Sequence, residues 1–120
     1  MLKKIFIAAF MINLIVAQNV SAEEILVYEN DTYSCYVIPE TFENKTVYRD
    51  NRAFDVKVKL VYVDGYFNEN NYSFWENDGI VWYQLEGSPN TFTINETESA
   101  AEIWNFGLKY LNLDYEISYE

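Results

Sequence analysis

Residues 54–63 read FDVKVKLVYV and run into Asp64-Gly65. Phe54, Val56, Val58, Leu60 and Tyr62 share one side at period two. Asp55, Lys57 and Lys59 share the other, joined at the end by Val61 and Val63. Successive side chains of an extended strand point to opposite faces, so this alternation marks a half-buried strand. It is the longest clean signal in the chain, and the other segments are expected to assemble on it. Its outer side is polar only over Asp55, Lys57 and Lys59. The start of the strand is therefore expected to have an open outer face, and its end, at Val61 and Val63, to be covered on both sides.

Upstream, residues 25–28 and 33–38 flank the turn-forming Glu29-Asn30-Asp31-Thr32 and read as a first hairpin, its second strand ending at Pro39. Residues 40–45 read as a loop and 46–49 as a short strand, with Asp50-Asn51 turning the chain into the central strand. Downstream, residues 66–71 form a polar, Asn-rich stretch expected to be a loop. A second hairpin, 72–75 and 80–85, closes around Glu76-Asn77-Asp78-Gly79. A type I turn with a bulge at Gly79, the preferred reading, sets Phe74 opposite Trp82 and Trp75 opposite Val81. A two-residue Asp-Gly turn would set Trp75 opposite Trp82. Neither face of this hairpin is polar, with Tyr72, Phe74, Ile80 and Trp82 on one and Trp75, Val81, Tyr83 and Leu85 on the other. Both are then covered, or one is a contact surface. After the turn Gly87-Ser-Pro-Asn90, residues 91–94 read as a last short strand.

The period then changes. Ala100, Ile103, Trp104, Gly107, Leu108 and Leu111 form one stripe of an α-helix. Asn95 is the expected N-cap, with Glu98 three residues on. Gly107 costs about 1 kcal/mol of helix propensity, which points to close packing against a strand. The tail from 112 to 120 reads as an edge strand. The expected fold is α+β: a curved antiparallel sheet, a meander of five to seven short strands, with one C-terminal α-helix (95–111) packed on one face.

The first 22 residues stand apart. Lys3 and Lys4 precede a 13-residue apolar run (5–17) broken only by Asn13, and Val20-Ser21-Ala22 has the small residues of a cleavage site. This is a signal-peptide pattern. Thirteen helical residues, at about 1.5 Å each, do not cross a bilayer core of about 30 Å. The expectation is a signal peptide at 1–22 and one α+β domain at 23–120. The address is then periplasmic, cell-surface or extracellular, with no membrane insertion once the leader is gone. Residues 23–120 hold 19 acids against six basic residues, a net charge of −13. Such a surface repels nucleic acid and anionic lipid.

Histidine is absent, which excludes Ser-His-Asp and Cys-His machinery and any His-ligated zinc site. A single cysteine, Cys35 in a strand-like context, reads as a small buried hydrophobe and cannot close a disulfide within the chain. None of the four glycines is spaced for a phosphate loop. Asn68–Asn71 and Asn77-Asp78 offer oxygen ligands, but no loop has EF-hand spacing, so turn chemistry is the reading. No catalytic set, cofactor or metal is expected. Asn-x-Ser/Thr triplets begin at Asn30, Asn44, Asn71 and Asn95, a modest excess over the roughly 1.3 that this Asn-rich composition gives by chance, and coincidence is the favoured reading.

Eleven Tyr, three Trp and six Phe fall within residues 23–120. Strand packing absorbs most of them. Tyr66, Phe67, Trp75 and Trp82, around the second hairpin, are the candidate contact patch, because Tyr and Trp join apolar area to a polar tip.

The leader, the Tyr-rich hairpin VYENDTYSCYVIPETF, the meander FDVKVKLVYVDG and the terminal AAEIWNFGLKYL together resemble small exported bacterial proteins of the surface-adhesin-E type. The likeness is one of layout, over residues 25–111. It implies an antiparallel sheet curled against a C-terminal helix and, for some members, attachment to host matrix proteins. The functional expectation is an exported, non-enzymatic binding or adhesion-type module of a bacterial envelope or secretome. A protein partner or host matrix protein is its expected target, and the chain a monomer or weak homo-oligomer. The alternatives are a self-associating structural subunit and a carboxylate-based hydrolase.

Overall fold

The computed structural model describes residues 23–117. The expected signal peptide and the end of the expected tail strand lie outside them. Six strands follow one another in an antiparallel meander, each paired with its neighbours in sequence: β1 (Ile25–Glu29), β2 (Tyr33–Asn44), β3 (Ala53–Tyr62), β4 (Phe67–Asn77), β5 (Ile80–Leu85) and β6 (Phe92–Thr93). A 3-10 turn, Ile94–Glu96, leads into α1, Glu98–Tyr110, the one α-helix among the described residues. The sheet is open and curved, and the α+β fold is the expected one.

The stretch FDVKVKLVYV forms most of β3, in the interior of the sheet. Phe54, Val56 and Val58 are buried, and Asp55, Lys57 and Lys59 alternate with them on the opposite face. The first hairpin forms around the expected turn. Its turn is held by Asn30, whose Oδ1 accepts the N–H groups of Thr32 and Tyr33 at 2.8 and 2.9 Å.

Three local expectations along β2, β3 and β4 are corrected. Pro39 does not end β2, which continues to Asn44 past a bulge. Five steps along β2 from Ile38 to Glu43 face only two along β3 from Lys57 to Asp55. Thr41 Oγ1 repairs the ladder there, accepting the Lys57 N–H at 2.8 Å. Residues 46–49 hold an isolated Tyr48–Asn51 bridge instead of a strand. The Asn-rich segment is not a loop: β4 starts at Phe67, because pairing with β3 from Val61 to Ala53 supplies its backbone partners whatever its side chains.

The second hairpin takes the two-residue turn. Asn77 faces Ile80, Trp75 faces Trp82 and Phe74 faces Tyr83. Asp78 and Gly79 both have positive φ, 53° and 78°, the type I′ geometry whose twist matches that of paired strands. The shifted register also re-sorts the faces. Tyr72, Phe74 and Tyr83 are buried on one, while Trp75, Trp82 and Ile80 share the other.

The helix packs on the buried face. Ala100, Ile103, Trp104 and Gly107 meet a core of Cys35, Val37, Phe54, Val56, Val58, Tyr72, Phe74 and Tyr83. Cys35 is fully buried and free, as its context implied. Trp104 stacks on Phe54 with ring centroids 5.3 Å apart, and Phe54 on Phe74 at 5.2 Å. Gly107 makes this approach possible: a Cβ there would lie 2.7 Å from both Cε atoms of Phe54. The helix start is shifted from the expected one. Thr97, not Asn95, is the N-cap, and the Thr93 N–H donates to Glu96 Oε2 at 2.8 Å across the preceding 3-10 turn.

Three tyrosines from three strands hold that helix end. Tyr28 OH donates to Glu98 Oε1 at 2.8 Å, Tyr33 OH to Ser99 Oγ at 3.2 Å, and Tyr83 OH shares a 2.9 Å bond with Thr97 Oγ1. The helix ends in a Schellman motif. Asn112 has φ 59°, its N–H bonds Lys109 O, and the Leu113 N–H bonds Leu108 O at 2.7 Å.

The described part of the tail is not a strand. Instead Arg52 fastens it: its Nη1 donates to Leu113 O at 2.7 Å and to Tyr115 O at 3.2 Å. The same guanidinium pairs with Glu76 through Nε–Oε1 and Nη2–Oε2, with the two side chains only 12% and 3% exposed. Val63 is a further correction. It lies past the end of β3 and is 77% exposed, and Val61 is only half-buried, so the end of the central strand is not covered on both faces.

Candidate functional site

The helix covers one face of the sheet, and the other face is where the unassigned chemistry lies. Register places its residues in rows across the strands. Ala53, Trp75, Trp82 and Thr93 form one row; Asp55, Ser73 and Gln84 the next; Lys57 and Asn71 the third; Lys59 and Glu69 the fourth; and Val61 and Phe67 the last. The face therefore begins and ends with aromatic side chains and is polar between them.

The polar middle is a cleft of about 590 Å³, within the range of about 300–1,000 Å³ usual for small-ligand sites. Asp55, Lys57, Asn71, Ser73 and Gln84 line it from β3, β4 and β5. The β2 bulge raises Glu40, Thr41 and Glu43 as one wall. The turn after β5, with Glu86, Gly87 and Ser88, makes the other. Gly87 has φ 84°, a conformation that L side chains rarely adopt.

Two amides are fixed by the far wall. Asn71 Nδ2 donates to Glu86 Oε1 at 2.6 Å, and Gln84 Nε2 to Ser88 O at 2.7 Å. Among the described residues, Glu43 pairs with Lys45 at 3.2 Å, while Lys57, Asp55 and Glu40 enter no side-chain ion pair. Four carboxylates against one lysine make the cleft unsuitable for a phosphate. Among the described residues no group of three or more His, Cys, Asp or Glu side chains is placed to hold a metal ion.

The four residues singled out from the sequence divide into two pairs. Trp75 and Trp82 are brought together, directly opposite each other and half-buried, one row from the cleft. Tyr66 and Phe67 sit at the β3–β4 turn, 63% and 54% exposed, with Lys59 Nζ 4.7 Å from the Phe67 ring centroid. Phe67 and Trp75 are eight residues apart on one strand, about 26 Å at about 3.3 Å per residue. They share a face but not a site, and the polar cleft lies between them. The sequence alone does not bring Asn71, Ser73 and Gln84 into one site: Asn71 reads as part of a loop, and one residue of hairpin register decides which face Gln84 joins.

Titration shifts concern the opposite, covered side. Burial pushes the Cys35 thiol up to about 12. Burial likewise raises the Tyr72 hydroxyl, beyond the ordinary tyrosine range. The hydrogen bond to Glu98 raises Tyr28. These groups hold their protons at neutral pH, as structural donors and packing groups do.

No helix among the described residues is long and apolar enough to cross a membrane. Compared with protein-family models, curated proteins and solved structures, the chain has no match.

Proposed function

We propose that the chain is an exported, non-enzymatic binding module of the adhesion type, and that it works through the sheet face away from the helix. The observation that carries this reading is the pairing of Trp75 with Trp82, both half-buried, beside an open cleft of polar side chains on the sheet. Large aromatic groups beside hydrogen-bonding groups are what recognition surfaces require. The cleft offers carboxylates, amides and one lysine but no histidine or thiol, so it has the means to hold a ligand and lacks the Ser-His and Cys-His sets that activate a nucleophile. The leader-like N-terminus and the layout shared with surface-adhesin-E-type proteins support export and attachment.

The test is retention of the full chain on purified host matrix proteins and on isolated bacterial envelopes. Wild-type chain should be retained, Trp75→Ala/Trp82→Ala should lose at least tenfold in affinity, and Tyr66→Ser/Phe67→Ser should change it less than twofold. If the turn pair governs retention and the tryptophan pair does not, the site is misplaced. If nothing retains the wild-type chain, the binding reading fails.

A further inference from the structure

The cleft also carries information about the class of its ligand. Resting on the binding reading above, we propose that it takes an uncharged saccharide, with a sugar ring packed against the Trp75–Trp82 pair and its hydroxyl groups reaching into the cleft. Three features of the site lead there.

The first is that most of the backbone is spent. The cleft lies over β3, β4 and β5, and β3 pairs with β4 right across it. β5 pairs with β6 only at Trp82 and Tyr83, so the free edge on that side of the cleft is Gln84 and Leu85, and the Leu85 C=O already accepts the Ser88 N–H at 3.0 Å. An extended peptide adds to a sheet by main-chain hydrogen bonds along an edge, and two residues are too short for that. Recognition must come mainly from side chains.

The second is the mixture of those side chains. Asn71 and Gln84 each use one amide N–H in a bond to the far wall, which fixes the amide and keeps its carbonyl oxygen and second N–H for a ligand. Asp55 supplies a carboxylate, Ser73 a hydroxyl and Lys57 an ammonium group within the same space. A sugar hydroxyl donates and accepts at once. Neighbouring hydroxyls on a ring therefore need donors and acceptors interleaved at short spacing, and these five side chains provide that. An apolar ligand would leave all of them unpaired. An anionic one would face four carboxylates against one lysine.

The third is the aromatic row. Trp75 and Trp82 lie one same-face step from Ser73 and Gln84, about 7 Å along the strand. The apolar C–H face of a pyranose can cover the open part of a half-buried indole while its hydroxyl edge extends toward the amides.

The experiment is a printed array of neutral, sialylated and sulfated glycans probed with the full chain, followed by titration calorimetry with the strongest neutral oligosaccharide. Neutral glycans should bind and their sialylated or sulfated forms should not. Asn71→Ala and Trp82→Ala should each weaken binding at least tenfold, and Tyr66→Ser less than twofold. Should Trp82→Ala lose the native circular dichroism spectrum, Asp55→Asn, an isosteric change at a half-buried position, is to weaken binding by at least fivefold instead. Binding confined to acidic glycans, to arginine-rich peptides or to no glycan overturns the proposal. So does neutral-glycan binding that none of these substitutions alters. Retention on envelopes or matrix proteins that survives an excess of free neutral oligosaccharide overturns the saccharide class and leaves the binding module standing. Loss of retention altogether removes the binding module itself.

Discussion

The two faces of the sheet are made by the same strands and have opposite tasks. On one, Phe54, Phe74 and Trp104 stack with centroids 5.2 and 5.3 Å apart, Gly107 lets the helix close in, and three tyrosine hydroxyls tie down the helix end. On the other, the same rise per residue places Asp55, Lys57, Asn71, Ser73 and Gln84 around an open cleft between two aromatic rows. One face is filled with side chains that satisfy each other. The other holds groups that water or a ligand must satisfy. The difference teaches that stability and recognition are separated by strand parity, so substitutions one residue apart should have different consequences.

The largest contrast is expected between Phe54→Ala and its outward neighbour Asp55→Ala. Phe54 is fully buried beneath Trp104 and Gly107, and truncation leaves a cavity, with an expected cost of about 3–5 kcal/mol. Asp55 makes no ion pair among the described residues, and its truncation is expected to change stability by less than about 0.5 kcal/mol. Urea unfolding followed by tryptophan fluorescence measures both. Similar costs at the two positions would break the division of faces.

A somewhat smaller effect is expected at the Arg52–Glu76 pair inside the covered side. Glu76→Ala removes the carboxylate that pairs with the Arg52 guanidinium through two hydrogen bonds, the two side chains being 12% and 3% exposed, and breaking so buried a pair is expected to cost about 3 kcal/mol. Replacing both partners by apolar residues of similar volume, Arg52→Met with Glu76→Leu, should recover at least half of that loss. The double variant also releases the tail, so protection of the Tyr115 region from proteolysis should fall even where stability returns. A double variant no more stable than Glu76→Ala would mean the pair contributes net stability of its own.

How legible this was from the sequence divides along the same line. The covered face rests on long periodic patterns, and Phe54, Val56, Val58, Ile103, Trp104 and Gly107 were all placed correctly from spacing. The open face rests on register, which is decided by turns only two residues long. Asn77-Asp78-Gly79 admits two turns, and the choice between them moved Trp82 from beside Phe74 to opposite Trp75. The cleft escaped notice for a related reason. Asn68 to Asn71 have poor strand propensity, and only pairing with β3 makes them a strand. The Arg52–Glu76 pair joins residues 24 apart and has no local signature at all.

A pH effect of intermediate size separates the faces again, because the resolved shifts with strong burial are on the covered side. Burial raises the Cys35 thiol from an ordinary 9.0 to about 12 in the folded chain. The folded state then binds this proton more tightly than the unfolded state. Its contribution to stability is complete below about pH 9 and is lost as pH climbs toward 12. Tyr72 shifts in the same direction and adds to the slope higher up. Wild-type stability should therefore fall more steeply between pH 9 and 10.5 than that of Cys35→Ala. Equal slopes in the two proteins would show that the thiol is not sealed. At neutral pH, Cys35 should resist a thiol reagent until the chain unfolds, since the thiolate is the reactive form.

The smallest effect tests the open face at its best-organised charged contact. Lys59 Nζ lies 3.1 Å from Glu24 Oε2 and 4.7 Å from the centre of the Phe67 ring, with side-chain exposures of 20% for the lysine and 34% for the glutamate. Water reaches both partners, so the ion pair should contribute about 0.5 kcal/mol or less, and the ring contact about as much again. Lys59→Met keeps most of the aliphatic stem over Phe67 and removes only the charge; Lys59→Ala removes both. If the open face is organised for contact with solvent or ligand, Lys59→Met should cost under about 0.5 kcal/mol, and that small cost should shrink further in 0.5 M salt, where charges are screened within a few ångströms. Lys59→Ala should cost no more than about 1 kcal/mol and show less salt dependence than coupling. A cost above about 2 kcal/mol for Lys59→Met would place this end of the face under cover. Tyr66 and Phe67 would then be parts of a packed unit rather than an exposed turn, and the Trp75–Trp82 row would remain as the one aromatic platform from the sequence reading still open to a ligand.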